Sequence, residues 1–374
     1  MKYLHIMAHE STIHNSNILE LFQSFKKDLN ISNYFIFACK EPYTHFQERN
    51  NVKYNSNILK RGLTDLKSMY KEYDIVFIHS FYLRTFRLIF LNKGLCHKIV
   101  WCVWGHDLYN RVPYLNQDKN IFKYLDKKLN LHIMKKKVRD FIGIGIGYKY
   151  DSLEVKKLFG DLPYIYRMPY PLGYTMNEVK KYSNPYVKGV KKSINIMIGH
   201  SGFPFLNHKS VLDSLLKFKN ENIKIYIPFI YGDDLYMDGL EKYAKENFGN
   251  KVNIMRTKLG YCDYIKFVSE MDIAVFDVKH QTALANIYLL LYFGKKLYLS
   301  DRGILYQGLD LENIEVCGIS EIKHCSFDEF CKPIENPLCG KKFSETVLDE
   351  ESIKKMWYKS LKYIKYHQNF ERCD

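Results

Sequence analysis

Ile194-Asn195-Ile196-Met197-Ile198-Gly199-His200-Ser201-Gly202 is the stretch on which the fold turns. Five mostly apolar residues end on a glycine, and helical periodicity follows over residues 209–218. Strand, glycine turn and helix make the βα unit of a parallel sheet. The stretch also restarts a pattern that has already run once. Upstream, short apolar runs at 3–7, 34–39, 75–79, 99–104, 141–146 and 164–168 read as strands, with helices such as 16–29 and 57–70 between them. Downstream, runs at 225–230, 252–255, 273–276, 297–299 and 314–316 alternate with helical segments at 240–247, 263–271 and 282–293.

Between the two series lies a proline-bearing stretch with Pro169, Pro171 and Pro185 and a basic turn at Lys188, Lys191 and Lys192. The expected organisation is therefore a Rossmann-like domain over 1–168, a linker over 169–192, and a second Rossmann-like domain over 193–345. A closing amphipathic helix over 346–374 carries Ile353, Met356, Trp357, Leu361 and Ile364 at helical spacing. Two αβα halves facing a central cleft would bind a ligand beyond the carboxyl ends of their strands.

Bulk properties narrow the class. The chain has 374 residues, more than one ordinary core takes. Fifty-six Lys and Arg against 41 Asp and Glu leave a net charge of +15, a field that favours polyanions: nucleic acid, anionic headgroups or phosphorylated substrates. No helix-turn-helix, zinc or RNA-binding signature accompanies the charge, so nucleic acid is not expected as a partner. No run approaches the roughly 18 apolar residues of a spanning helix. The start, Met1-Lys2-Tyr3-Leu4-His5-Ile6-Met7, has too short an apolar core for a secretory leader and points to the cytosol. The nine cysteines contain no C-x-x-C pair, and Cys317, Cys325, Cys331 and Cys339 lack zinc-site spacing, so neither metal nor disulfides are expected.

The junctions carry the chemistry. At Gly199-His200-Ser201-Gly202 two glycines and a serine would let backbone N–H groups approach an anion at a helix start. The plain alternative is a tight βα turn. After Asp277, His280-Gln281-Thr282 opens a long apolar helix, with Gln281 and Thr282 at the capping positions. Two such junctions would clamp a diphosphate. Leu259 and Tyr261, in the turn before residues 263–271, offer backbone groups and an aromatic ring for a nucleobase; Tyr261 could equally be a surface aromatic.

In the first half, Trp104-Gly105-His106-Asp107-Leu108-Tyr109 ends a strand, and His106 and Asp107 would project from its carboxyl edge, able to bind a hydroxyl or take its proton. His14 and Asn15, and His79, emerge at the same edge. Gly143, Gly145 and Gly147 lack the G-x-G-x-x-G register of a nicotinamide site, and Asp233-Asp234 lacks the alternate spacing of a metal-binding pair. From 119 to 139, eight basic residues accompany Phe122, Leu125, Leu129 and Ile133. That helix suits an anionic membrane surface, or else packs its apolar stripe on the domain.

These motifs in order resemble the TDP-N-acetylfucosamine:lipid II N-acetylfucosaminyltransferases (4-acetamido-4,6-dideoxygalactose transferases). The matching residues are His14-Asn15, the Trp104-Gly105-x-Asp107-Leu108-Tyr109 run, Gly199-x-Ser201-Gly202 with His208, Ile227-Pro228, Lys258-Leu259 through Asp263-Tyr264, and Gln281 with its helix to Gly294. The chain departs from the pattern at His106 and at Phe203-Pro204-Phe205-Leu206.

The resemblance implies a GT-B fold with an N-terminal acceptor domain and a C-terminal nucleotide-sugar domain, with no required metal or other cofactor. It implies a deoxyamino sugar moved from a dTDP-sugar to a polyprenyl-diphosphate-linked saccharide at the cytoplasmic face of the inner membrane, as in surface-polysaccharide or O-antigen synthesis. Donor contacts then fall to Gly199, Ser201, Gly202, His208, Leu259, Tyr261, Gln281 and Thr282. Acceptor contacts fall to Asn15, His79 and Tyr109, and base or positioning roles to Asp107, with His14 and His106 as alternates. A sugar-nucleotide 2-epimerase on the same scaffold is the alternative activity, and a basic nucleic-acid-binding protein the non-enzymatic one.

Overall fold

The computed structural model describes residues 1–7, 12–37, 51–54, 71–81, 93–109, 121–162, 164–182 and 193–370. The chain divides into two compact units, Met1–Gly173 with Glu350–Asp374, and Tyr174–Asp349.

The first unit holds a parallel sheet of seven strands: β1 (Lys2–Met7), β2 (Ser32–Phe37), β3 (Val52–Tyr54), β4 (Ile75–His79), β5 (Ile99–Val103), β6 (Gly143–Ile146) and β7 (Ile165–Arg167). Their order is β3-β2-β1-β4-β5-β6-β7. β4 and β5 are buried along their whole length, which is why they read as unbroken apolar runs rather than alternating ones. β3 has three residues at the sheet edge and left no sequence signal. The helix expected at 57–70 lies outside the described residues.

The closing helix, Glu350–Phe370, belongs to this unit. Ile353, Trp357, Leu361 and Ile364 are buried in a core with Tyr3, Phe22 and Phe77. The Trp357 indole N–H donates to the Pro169 carbonyl at 2.6 Å, and Lys365 Nζ donates to the Leu29 carbonyl at 2.7 Å. Burying such side chains contributes about 1.5–3 kcal/mol each.

The second unit holds six parallel strands: β8 (Ile194–Ile198), β9 (Ile223–Pro228), β10 (Val252–Met255), β11 (Ile273–Phe276), β12 (Lys296–Leu299) and β13 (Cys317–Gly318), in the order β10-β9-β8-β11-β12-β13. The last strand falls just beyond the expected 314–316 because only two residues pair there. The helix expected from 240 begins at Asp234, where the Asp233 carboxylate accepts the Tyr236 N–H at 2.8 Å. Both sheets reverse direction of growth at one point, between β1 and β4 and between β8 and β11. In open parallel sheets that switch point is where two loops diverge and leave room for a ligand.

Candidate functional site

In the second unit the loops after β8 and β11 leave the sheet side by side, because the two strands pair directly. The glycines of the first loop serve close packing. Gly199 has φ +65°, its N–H donates to the Val275 carbonyl at 3.0 Å, and a Cβ there would lie 2.5 Å from His208 Nε2. The Gly202 N–H donates to the Tyr231 carbonyl at 2.7 Å, and an added Cβ would meet Met237 Sδ at 2.1 Å. The expectation that these two glycine amides face an anion is therefore corrected: both are committed to the main chain. Nor does the loop run straight into a helix. A short 3₁₀ turn, Pro204–Leu206, and Asn207 intervene before the helix His208–Leu215.

The side chains are what remain open. Ser201 Oγ, His200 Nδ1 and His208 Nε2 are buried with no hydrogen-bond partner within 3.5 Å among the described residues, with the Tyr231 hydroxyl beside Ser201 and the Ser201 main chain beside His208. The other nitrogen of each histidine meets a hydroxyl: His208 Nδ1 lies 3.2 Å from the Tyr236 oxygen, and His200 Nε2 lies 3.4 Å from Thr282 Oγ1. Burial pulls His200 down to about 4, with His280 adding to the effect, and pulls His208 down to about 3, with His200 adding. Both rings are neutral at ordinary pH. The three unmatched atoms lie together in this loop and the helix after it, where an anion's oxygens would match them.

Two helix starts converge there. Residues expected at the cap, Gln281 and Thr282, do not cap the following helix; it runs Leu284–Tyr292, and its N-cap is Ala283 with φ +53°. The helix His208–Leu215 likewise starts from a left-handed residue, Asn207 with φ +51°, whose amide instead donates to the Asp277 carbonyl at 3.0 Å. Neither helix has a side-chain cap. The first N–H groups of an uncapped helix carry partial positive charge and suit an anion. The second helix is held by its neighbours: Tyr264 donates to Asn286 Oδ1 at 3.0 Å, and Tyr174 to the Ala285 carbonyl. Leu259 and Tyr261 lie where the helix Tyr261–Ser269 begins, with Tyr261 exposed at the surface. The ring of Phe205 stacks on Phe203 and lies 5.1 Å from that of His280, giving the loop an aromatic rim.

The structure thus brings together Gly199, Ser201, Gly202, His208 and Thr282, with Gln281 in the same turn. It adds His200, which sequence reasoning passed over. A histidine between the glycine and serine of a strand-end loop was the available signal.

The first unit treats its two buried strand histidines differently. Asn33 donates to the Phe22 carbonyl at 3.0 Å, so its Oδ1 accepts from His5 Nε2 at 3.2 Å. Burial pulls His5 down to about 3 and holds His79 well below its ordinary value, so both rings are neutral. His5 Nδ1 is then an acceptor, and His79 Nε2 donates to it at 3.1 Å. His79 Nδ1 in turn accepts the Tyr170 hydroxyl at 2.5 Å. The chain Tyr170→His79→His5→Asn33→Phe22 has one direction and no vacant position.

That geometry corrects the acceptor-contact assignment of His79, whose ring is fully buried with both nitrogens engaged. Asp107 is corrected likewise as a base or direct hydroxyl-positioning group. Its carboxylate accepts from the Phe81 N–H at 2.7 Å, the Trp101 indole at 2.6 Å and the Trp104 N–H at 2.9 Å, so it staples the exit of β5. Tyr109 is buried and donates to Asp151 Oδ1 at 2.5 Å. Asn15 is buried on the helix Thr12–Ser24. The side chains of His14 and His106 lie outside the described residues. At the switch point itself Ser80 has φ +66° and a buried hydroxyl without a partner among the described residues. Among the described residues no group of three His, Cys, Asp or Glu side chains could hold a metal ion.

The 4-alpha-L-fucosyltransferase family, glycosyltransferase group 56, matches residues 1–324. The chain belongs to that family, in agreement with the resemblance drawn from its motifs. Among solved structures it is similar to Anabaena Alr3699/HepE in complex with UDP, at TM-score 0.67 and 10% identity over 97% of this chain and 100% of that one. It is also similar to the sucrose-phosphate synthase tll1590 of Thermosynechococcus elongatus, at TM-score 0.65 and 8% identity over 100% of both chains. A third likeness is to the solved structure described as trehalose-6-phosphate from E. coli bound with UDP-2-fluoro glucose, at TM-score 0.62 and 10% identity over 98% of this chain and 99% of that one. The fold is GT-B and the protein is a glycosyltransferase.

Proposed function

We propose that the enzyme moves a 4-acetamido-4,6-dideoxyhexose-type sugar from a dTDP-linked donor to a polyprenyl-diphosphate-linked saccharide, in surface-polysaccharide synthesis. The observation that carries the donor half is the meeting of two uncapped helix starts with the unpartnered Ser201, His200 and His208. A diphosphate supplies acceptors to all of them at once. In the reaction the acceptor oxygen bonds to the anomeric carbon, and the bond from that carbon to the β-phosphate oxygen breaks. Its electron pair stays on the departing nucleoside diphosphate, and the acceptor's hydroxyl proton goes to a base. Fixed donors at the leaving group are the largest lever on such a step. The base role passes from Asp107 to its sequence alternates, His14 and His106.

The acceptor's lipid fits the helix Ile121–Lys137. Its Leu131 and Met134 are buried, whereas Leu129 is 59% exposed beside exposed Lys128 and one to two turns from exposed Lys135 and Lys136. An apolar side chain among lysines favours an anionic bilayer face, which supports the peripheral position at the cytoplasmic side of the inner membrane that we propose.

The test supplies purified enzyme with dTDP- and UDP-linked sugars, with and without a polyprenyl-diphosphate saccharide. Sugar transfer that requires the lipid acceptor and runs faster from dTDP supports the reading. Turnover of donor without acceptor would point to the epimerase, and transfer to a soluble acceptor alone would remove the lipid.

A further inference from the structure

We propose that His200 is a direct ligand of the donor's diphosphate and binds it as an imidazolium, so that nucleoside diphosphate binding draws a proton from solvent onto Nδ1. The proposal rests on the donor reading above and extends it to a residue outside the family-derived contacts.

The geometry leaves Nδ1–H as a donor, and a diphosphate beside it favours the charged ring. His200 Nε2 faces the Thr282 hydroxyl at 3.4 Å, and Nδ1 is buried without a partner among the described residues. A hydroxyl can donate to a neutral ring or accept from a charged one. Thr282 therefore serves both states, and protonation leaves Nδ1–H as a donor aimed at an anion.

The surroundings set the free state. The titratable and charged groups on the packed elements are His208 on the helix His208–Leu215, Tyr236 on the helix Asp234–Phe248, Tyr231 after β9, and Asp277, Lys279 and His280 after β11. Burial keeps the His200 ring neutral and His280 adds to the effect, while His200 adds in turn to the lowering of His208. A diphosphate at Nδ1 reverses the sign of that environment, since an opposite charge within about 4–6 Å favours the charged form of the ring.

His208 is the poorer proton acceptor of the pair. It is fully buried, its Nε2 is pressed against Gly199, and two adjacent rings cannot both charge cheaply. His200 is only partly buried and sits in the loop itself.

Titration calorimetry of dTDP and UDP at pH 6.5, in phosphate-free buffers of different ionisation enthalpy, counts the protons exchanged. The free nucleotide's phosphate titration is common to wild type and variant, and the 15N shifts of the His200 ring in the bound protein assign the remaining difference to the imidazole. Wild type should take up a measurable fraction of a proton more than His200→Gln, rising as the pH is lowered, and His200→Gln should bind about 10-fold or more weakly at pH 6.5 with a smaller deficit at pH 8. His200→Asn repeats the test should the glutamine variant fail to fold. Equal proton counts in wild type and a folded variant overturn this proposal and leave the donor reading standing. Wild type that binds no nucleoside diphosphate overturns both.

Discussion

The two sheets share a strand order on either side of the switch point, yet their histidines are treated in opposite ways. In the first unit His5 and His79 have every nitrogen matched, in a chain that ends on the Phe22 carbonyl. In the second, His200 and His208 each keep one nitrogen buried and unmatched among the described residues. Both pairs are neutral through burial. The difference is therefore in satisfaction rather than charge. A closed network fixes a fold, and an open one of the same residues leaves polar atoms for a ligand to match.

The comparison breaks most visibly at Asp107. Asp107→Ala leaves the Phe81 and Trp104 amides and the Trp101 indole without their acceptor. Each stranded buried donor costs about 1–3 kcal/mol, so the expected loss is about 3–5 kcal/mol, read as a lower urea midpoint at unchanged slope. Stability within about 1 kcal/mol of wild type, with activity lost, would return Asp107 to a chemical role.

Acid should act next, through the closed pair. Each of these histidines titrates near about 6.5 when unfolded, and burial keeps both deprotonated in the fold to well below that. Between those values the unfolded chain binds more protons. Stability is thus full above about pH 6.5 and falls beneath it by about 1.4 kcal/mol per pH unit for each histidine. Asp151 opposes the trend: burial raises it to about 7, so its contribution is present below the unfolded carboxylate range and is lost as pH rises through 7. His5→Phe should flatten the acid limb between pH 6.5 and 5. An unchanged limb would mean that the pair does not hold its neutral form.

Ser201→Ala sharpens the contrast with a smaller effect. It deletes a buried hydroxyl that has no partner among the described residues, so stability should hold within about 0.5 kcal/mol or rise. Affinity for nucleoside diphosphate should fall about 10-fold, about 1.4 kcal/mol, by calorimetry. Smallest of all, Tyr264→Phe removes the bond to Asn286 at the start of the helix Leu284–Tyr292. It should weaken binding by under about 1 kcal/mol without altering nucleotide preference.

Much of the architecture was legible because parallel strands buried on both faces are plain apolar runs. Residues 75–79, 194–198, 252–255 and 273–276 were bounded from sequence as they stand in the structure. The site was half legible. Glycine and serine at a strand end named the loop, but the pairing of its glycine amides with Val275 and Tyr231 depends on strands far apart in sequence. Ala283 in a left-handed conformation has no residue signature, since alanine disfavours it. Tyr170 meets His79 across 91 residues, so nothing local distinguished a sealed histidine from an available one.

Diffraction from crystals grown with dTDP tests the central claim most directly. The account predicts both phosphate groups within hydrogen-bonding distance of Ser201 Oγ, His200 Nδ1 and His208 Nε2, against the first turn of Leu284–Tyr292. Phosphates seated elsewhere, with those three atoms still unmatched, would contradict it.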